Sequence, residues 1–494
     1  MNLQIEHIAI ICLSFYTLLL FVVMFFTARR ANNETYFRGN RRSPWMVVAY
    51  GMIGASLSGV TMLSVPGDVF KTQFTYFAIV LGYILGYIVI AKVLLPLYYR
   101  LNLTSIYTYL EERFGKYSYK TGAFFFILSR ILGSALRMYL IIFVLHAFVF
   151  SHLNIPIYVI AIVFIGIIFC YTFLGGIKTI VWTDTLQTTF MLAALVMIMV
   201  MIGQNLNMPF KDIFAEMKQS GYTTIFNMDW KSGTFFVKQI LSGMFITITM
   251  TGLDQDMMQK NLSCKTLKES QKNMFSFTGI LVIANMLFLI MGGMLCVFAA
   301  HKGIDLANMP KTDNLLPTVA LHYLSPVAGI TFILGLIAAG YSSADGTLAS
   351  LTTVVCVDFL SINKSNATEK QKIRLRWLIH VIISGLFLAI ILFFSRFHSD
   401  ALIRILFKIA GYTYGPLLGL YTFGMFTKRK VKYEKMVPLI AIISPLICYI
   451  LNMYSKDLFW GYEFGFELLL VNGLLTFIGL WIISKRVQRT ECRV

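Results

Sequence analysis

Apolar runs of about 20 residues, the length a helix needs to cross a bilayer core, alternate with short polar loops along the whole chain. Thirteen are found: 7–27, 45–65, 74–98, 121–151, 155–173, 182–203, 235–257, 274–300, 325–358, 377–397, 400–426, 436–454 and 464–484. The pattern predicts an all-α polytopic membrane protein with about 13 transmembrane helices. The run 45–65 departs from the rest. Its centre reads Gly54-Ala55-Ser56-Leu57-Ser58-Gly59. Glycine is a poor helix former, and serine competes for backbone hydrogen bonds. A break is expected there, freeing backbone carbonyls at mid-bilayer depth. Such backbone is tolerated only where it is buried in protein or lines a cavity. Freed carbonyls beside small hydroxyls make a hard-oxygen site suited to an alkali cation.

A second interruption is expected near 243–253, around Gly243 and Thr247-Ile248-Thr249-Met250-Thr251-Gly252. Counting 45–65 as span one, this is span six. Interrupted helices at matching positions of two halves mark transporter repeats. The pattern therefore predicts a five-plus-five inverted repeat: 45–203, then 235–426, within a single transporter domain over 1–494. An extra helix at 7–27 precedes it. Two more at 436–484 follow, then a tail at 485–494. The loops 204–234 and 301–324 have room for short amphipathic helices.

Composition fits this reading. The chain has 494 residues, 57% hydrophobic and 13% charged, with a mean hydropathy of +0.73; soluble domains of this length are far less apolar. The formal charge of +19 does not indicate nucleic acid, because Lys and Arg cluster in alternate loops: 28–44, 99–120, 259–273, 361–376, 427–435 and the tail. That is the positive-inside pattern. It places the N-terminus outside and the C-terminus in the cytoplasm, in a plasma (inner) membrane of bacterial type. The apolar run 8–26 is long enough to span and has no basic region before it, unlike a cleaved signal peptide. The seven cysteines, at 12, 170, 264, 296, 356, 448 and 492, show no CxxC or metal spacing and read as small packing residues. No His-Glu metal motif or nucleophile elbow points to an enzyme.

Span eight contains Ala339-Gly340-Tyr341-Ser342-Ser343. Adjacent hydroxyls stand about 100° apart on a helix. Facing the carbonyls of Gly54 and Leu57, they offer sodium a small, hard cage. Small residues also let helices pack closely in lipid, and spacing alone does not choose between the two.

The stretch Gly175-Gly176-Ile177-Lys178-Thr179-Ile180-Val181-Trp182-Thr183-Asp184-Thr185-Leu186-Gln187 resembles the fifth-span signature of the sodium:solute symporter family. Further segments agree in order: Leu63-Ser64-Val65-Pro66-Gly67; Leu103-Thr104-Ser105 through Tyr109-Leu110-Glu111-Glu112-Arg113-Phe114-Gly115; Gly252-Leu253-Asp254-Gln255 to Gln259-Lys260; and Gly411 with Gly415-Pro416-Leu417-Leu418-Gly419. The likeness runs from about residue 35 to 430. It implies a LeuT-type fold and sodium-coupled uptake by alternating access. Its bundle would be spans one, two, six and seven, and its scaffold spans three, four, eight and nine. It also implies that Gly54, Leu57 and Ala339, through carbonyls, and Ser342 and Ser343, through hydroxyls, match the family's sodium site.

Intramembrane charges are functional candidates by default. Some family members resemble this region with a serine at the position of Asp345 and an aspartate at that of Asp184, forming a second sodium site. Asp184 and Asp345 are therefore a candidate second cation site or exit route. The alternative is local capping, since Asp184 is expected at the start of span five, where the helix dipole favours an anion. Arg130 and Arg137 share a face of span three. In sialic-acid-transporting relatives an arginine at a position resembling Gly133 holds the substrate carboxylate. This chain departs from that, with Arg137 a turn further outward. Arg404 and Lys408 add positive charge in span ten. Arginine suits carboxylate recognition, so an anionic solute, a carboxylate or sugar acid, leads. Arg130 alternatively pairs with a cytoplasmic-side acid, and Arg404 snorkels to the interface.

Ser56, Ser58 and Thr61 line the expected break. Sugar-transporting relatives carry larger amide or carboxylate side chains there. The run Ser64-Val65-Pro66-Gly67-Asp68-Val69-Phe70, with Leu81-Gly82-Tyr83, looks closer to the iodide, monocarboxylate and vitamin branch. Phe70, Phe74, Tyr76 and Tyr83 are candidate gates. The substrate candidates are thus Ser56, Ser58, Thr61, Tyr83, Arg137 and Lys408. The partners expected are sodium, a small solute and lipid, with no nucleic acid and a monomer sufficient for transport. The rival readings are a neutral sugar or polyol symporter, proton coupling through Asp184 and Asp345, and a transporter-like solute sensor.

Overall fold

The structure, a computed structural model, describes residues 2–28, 32–150, 153–309, 311–396, 402–462 and 464–486. It is helical almost throughout. A helix lies over each of the thirteen apolar runs. Among the described residues nine helices are long and apolar enough to cross a membrane, or eleven if each bent pair is one span. The helix Leu402–Phe426 and the shorter apolar Leu468–Ile482 cover the other two runs and stand outside that count. Eleven crossings therefore rest on length and composition, and the expected thirteen is not established.

Span one is broken where glycine and serine predict it. Trp45–Ser56 ends at Leu57, whose backbone is extended (φ −84°, ψ 92°). Ser58 is extended too (φ −88°, ψ 177°), and Gly59–Thr72 continues at an angle of 57°. A helix end leaves its last carbonyls without intrahelical partners, here in the protein interior. Span six breaks later than expected. The run 243–253 stays helical, widening to a π-turn at Ile248–Gly252. The bend of 70° falls after it, before Gln255–Asn261. Asp254 is extended and caps the second piece, its carboxylate accepting from Met257 N (3.2 Å). Six-membered turns absorb hydroxyl and glycine residues without ending a helix, which displaces the break.

The remaining spans are two, Tyr76–Arg100; three, Lys116–Phe148; four, Ile157–Gly175; five, Ile177–Leu206; seven, Leu267–Lys302; eight, Pro326–Phe359; nine, Glu369–Phe394; and ten, Leu402–Phe426. Spans two and six lie backbone to backbone. A Cβ on Gly82 or on Gly243 would collide with main-chain atoms of the other helix, the close approach small residues permit in membranes. Span eight is the most enclosed: all its residues from Leu336 to Val354 are buried. It packs on spans three, four, five and nine, while span seven packs on both pieces of span one and on span two. A helix at Phe210–Gln219 fills part of the loop 204–234, and consecutive short helical elements, Thr312–Asn314, Leu315–Thr318 and Val319–Tyr323, occupy part of 301–324. A two-stranded ribbon, Arg429–Val431 with Ser484–Arg486, joins the loop after span ten to the chain's end. Cys12, Cys264, Cys296, Cys356 and Cys448 are buried as expected of packing residues. Cys170 is exposed instead, and Cys492 lies outside the described residues.

Candidate functional site

Gly54 sits where span one meets spans five and eight. A Cβ there would lie 2.6 Å from Thr188 Oγ1 and 3.2 Å from Ser342 Oγ. Only glycine lets the backbone come this close. Its N–H donates to Thr188 Oγ1 (2.9 Å), which pins the helix end just before the break. Across the contact, Ser343 Oγ donates to Ala339 O (3.0 Å) and Ser342 Oγ to Asp184 Oδ1 (3.3 Å). Leu57, Ala339, Ser342 and Ser343 are each exposed by 1% or less. Both hydroxyl oxygens spend their hydrogens on protein acceptors and keep lone pairs free. Gly54 and Ser342 thus meet at a buried contact, and the small backbone and hydroxyl oxygens predicted for sodium are a donor set that fits a hard monovalent cation.

Beside the break lies a cavity of about 100 Å³ lined by Ser56, Leu57, Ser58, Thr61, Tyr76, Tyr83 and Arg137, among others. Five of the six substrate candidates therefore share one wall. Lys408 does not. It is exposed and lines a second, larger cavity of about 400 Å³ with Lys71, Thr72 and Phe464, because span ten carries it well past the break. The Arg404 side chain lies outside the described residues. Tyr76 borders both cavities, and its hydroxyl is 3.1 Å from that of Tyr83, so this pair forms part of the partition. Arg137 has no ion pair among the described residues, and its buried Nε has no hydrogen-bond partner there. Arg130, seven residues away, is fully engaged. Its guanidinium contacts Asp254 (3.5 Å) and Asp256, and Nε donates to Thr347 Oγ1 (3.1 Å). This is the pairing with a nearby acid that the alternative reading of Arg130 gives.

Two expectations about charge are corrected. Asp184 does not begin its helix. Span five starts at Ile177, two turns earlier, so dipole capping does not account for Asp184. Lys260 is not a loop lysine. The bend in span six turns Gln255–Asn261 inward, and Lys260 is 1% exposed, its Nζ 2.8 Å from Asp184 Oδ2 and 3.6 Å from Asp256 Oδ1. Asp184 and Asp345, the candidate second cation site, are both held by protein groups. Asp345 Oδ2 accepts from Tyr171 OH (2.9 Å) and Gln187 Nε2 (3.2 Å), and Oδ1 accepts from Gly346 N (2.6 Å). The sequence signal for Lys260 was its place four residues after Asp256, one helical turn, hidden by the basic residues that follow.

The end of span six farthest from the larger cavity is tied down by polar contacts. Tyr98 OH donates to Gly252 O (2.8 Å), Tyr107 OH to Leu253 O (2.9 Å) and Tyr414 OH to Asp254 Oδ2 (2.7 Å). Gln255 binds the connection between spans two and three, accepting from Ile106 N (3.0 Å) and donating to Thr104 O (2.9 Å). Nearby, buried Asp358 accepts from Ser105 Oγ and Tyr119 OH, both at 2.7 Å.

Comparison with known proteins agrees with this geometry. Residues 36–441 match the model of the sodium:solute symporter family. The sodium/sialic acid symporter SiaT of Proteus mirabilis is 26% identical over 449 residues, covering 89% of this chain and 88% of that one. The mouse sodium-coupled monocarboxylate transporter 1 is 28% identical over 410 residues, covering 80% of this chain and 64% of its own. In fold, the chain is similar to a Na+-coupled sialic acid symporter solved in a substrate-bound outward-open state. The TM-score is 0.82 at 21% identity, over 97% of this chain and 99% of that one. Mhp1, a nucleobase-cation-symport-1 family transporter in a closed conformation, gives a TM-score of 0.57 at 12% identity, covering 91% and 94%. With its broken first span, its buried hydroxyl junction and a family match over most of its length, the chain belongs to the sodium:solute symporter family and is a sodium-coupled membrane transporter, not an enzyme.

Proposed function

We propose that the protein imports a small anionic solute, a carboxylate or sugar acid, together with sodium. The observation that carries this reading is Arg137: a guanidinium on the wall of the central cavity beside the break, free of any ion pair among the described residues. A half-buried cation without a counterion is partly desolvated at a cost, and an anionic ligand offsets that cost while accepting paired hydrogen bonds. Relatives named for sialic acid and for monocarboxylates support the same class. Ser56, Ser58, Thr61 and Tyr83 would supply the neutral polar contacts.

Sodium binds at Gly54, Leu57 and Ala339 carbonyls and the Ser342 and Ser343 hydroxyls. There it joins span one of the bundle to span eight of the scaffold. A ligand shifts a conformational equilibrium only by its differential affinity for the two states. Sodium has that differential, because its ligands come from elements that separate in the other state. The N-terminus lies outside and the C-terminus in the cytoplasm, following the basic loops. The larger cavity, bordered by Gly233 and Phe464, is then the external vestibule. The contacts around Asp254, Gln255 and Asp358 close the cytoplasmic side. One chain, with its repeats at 45–203 and 235–426, holds every group the cycle needs.

The test is uptake into proteoliposomes with and without an inward sodium gradient, over a panel of N-acetylneuraminic acid, lactate, iodide, galactose and a polyol. The reading expects sodium-driven accumulation of an organic anion. Accumulation of galactose or the polyol alone overturns the substrate class. Uptake that follows pH and ignores sodium overturns the coupling, and binding without flux favours a sensor.

A further inference from the structure

We infer that Lys260 supplies from the chain itself the second cation that the carboxylates of spans five and eight would otherwise take from solution, so that the carrier runs on one sodium per cycle. The inference rests on the sodium cage proposed above and goes beyond it to stoichiometry. Asp184 and Asp345 project from facing helices into a region with no exposure to solvent. Two such anions call for positive charge. The structure already provides it. The Lys260 ammonium lies 2.8 Å from Asp184 Oδ2. The other Asp184 oxygen accepts from Ser342. Both oxygens of Asp345 are held by Tyr171, Gln187 and the Gly346 N–H. Every carboxylate oxygen of the pair thus already has a tethered protein donor or ammonium within 3.3 Å. A second sodium would have to displace donors that are covalently tethered at the site and lose no translational freedom in binding.

Placement on span six gives the lysine a further role. Ser342 belongs to the sodium cage and touches Asp184; Asp184 holds Lys260; Lys260 rides on the inner piece of a bundle helix. Sodium arriving at the cage therefore bears on span six through Ser342, Asp184 and Lys260, three residues in direct contact. This is a physical chain between the ion and an element that must move when the inner side opens. Arg130 and Lys260 share Asp256, but Arg130 makes its other ion pair with Asp254, and Asp184 pairs with Lys260.

The experiment is the sodium-to-solute flux ratio of the wild-type protein, from reversal potentials in proteoliposomes, with the Hill coefficient for sodium beside it. One sodium per solute and a Hill coefficient of one are expected. A ratio of two overturns the inference while leaving sodium coupling intact; no sodium dependence at all defeats the proposed function instead. Lys260→Gln, read by radioactive sodium binding to the purified protein without solute, is expected to gain a second bound sodium. That gain should vanish in Lys260→Gln with Asp184→Asn. A folded Lys260→Gln protein that still binds one sodium overturns the inference. Should that variant not fold, the wild-type ratio decides alone.

Discussion

Arg130 and Arg137 share one face of span three and differ in what surrounds them. Arg130 is enclosed by two aspartates and a threonine and works as a strut. Both border the cavity beside the break, but Arg137 has no ion pair among the described residues. Sequence spacing places both on one face but does not distinguish them, because the aspartates that claim Arg130 come from span six, more than a hundred residues on. The difference makes a prediction. Arg137→Gln should raise the KM for an anionic solute tenfold or more, since a hydrogen bond to a charged group contributes about 1.5–3 kcal/mol. Its sodium affinity in the absence of solute should stay near wild type. Initial uptake rates at saturating sodium measure the first and sodium binding the second; an unchanged KM removes Arg137 from the substrate site.

The two broken helices show at the scale of elements what was legible in the chain and what was not. In span one, glycine and serine flank the break directly, and helix formation is local enough for that to be read. In span six, the run of threonines and glycine widens to a π-turn. The true bend comes at Leu253–Asp254, where an aspartate caps the next helix. The consequence was larger than the shift itself, because the later bend carries Lys260 from an assumed loop into the core. Tertiary burial of a charge has no signature in hydropathy. Lys408 shows the converse: it lies in an apolar run, yet span ten places it on the larger cavity and not on the one beside the break. The inner piece of span six is held by Arg130 through Asp256, and removing one partner of a buried pair costs about 3–5 kcal/mol. Asp256→Asn should therefore favour the inward-open form. With the seven native cysteines replaced and Ser58→Cys as reporter, a membrane-impermeant thiol reagent added from the cytoplasmic side should label it several-fold faster than with Asp256 intact. Equal labelling would show that this contact does not close the inner path.

Across the whole molecule, the broken first span packs against span eight, with the Arg137-lined cavity beside the break. The family and fold were readable because a handful of short motifs keep their order over most of the chain. The alternation of basic loops adds an orientation that uptake measurements in oriented vesicles will check. What the order of motifs does not carry is the electrostatics of the interior, where Lys260 and Arg130 pair with three aspartates from distant segments.

The central claim is that sodium bridges the break in span one and the paired serines of span eight. Ser343 tests it most directly: its hydroxyl makes only a local contact with Ala339 O, so its loss leaves the Asp184–Lys260 pair untouched. Radioactive sodium binding to purified wild-type protein and Ser343→Ala should show affinity weakened about tenfold or more, the 1.5–3 kcal/mol of a charge-assisted contact. Equal sodium affinity in the two folded proteins would contradict the account.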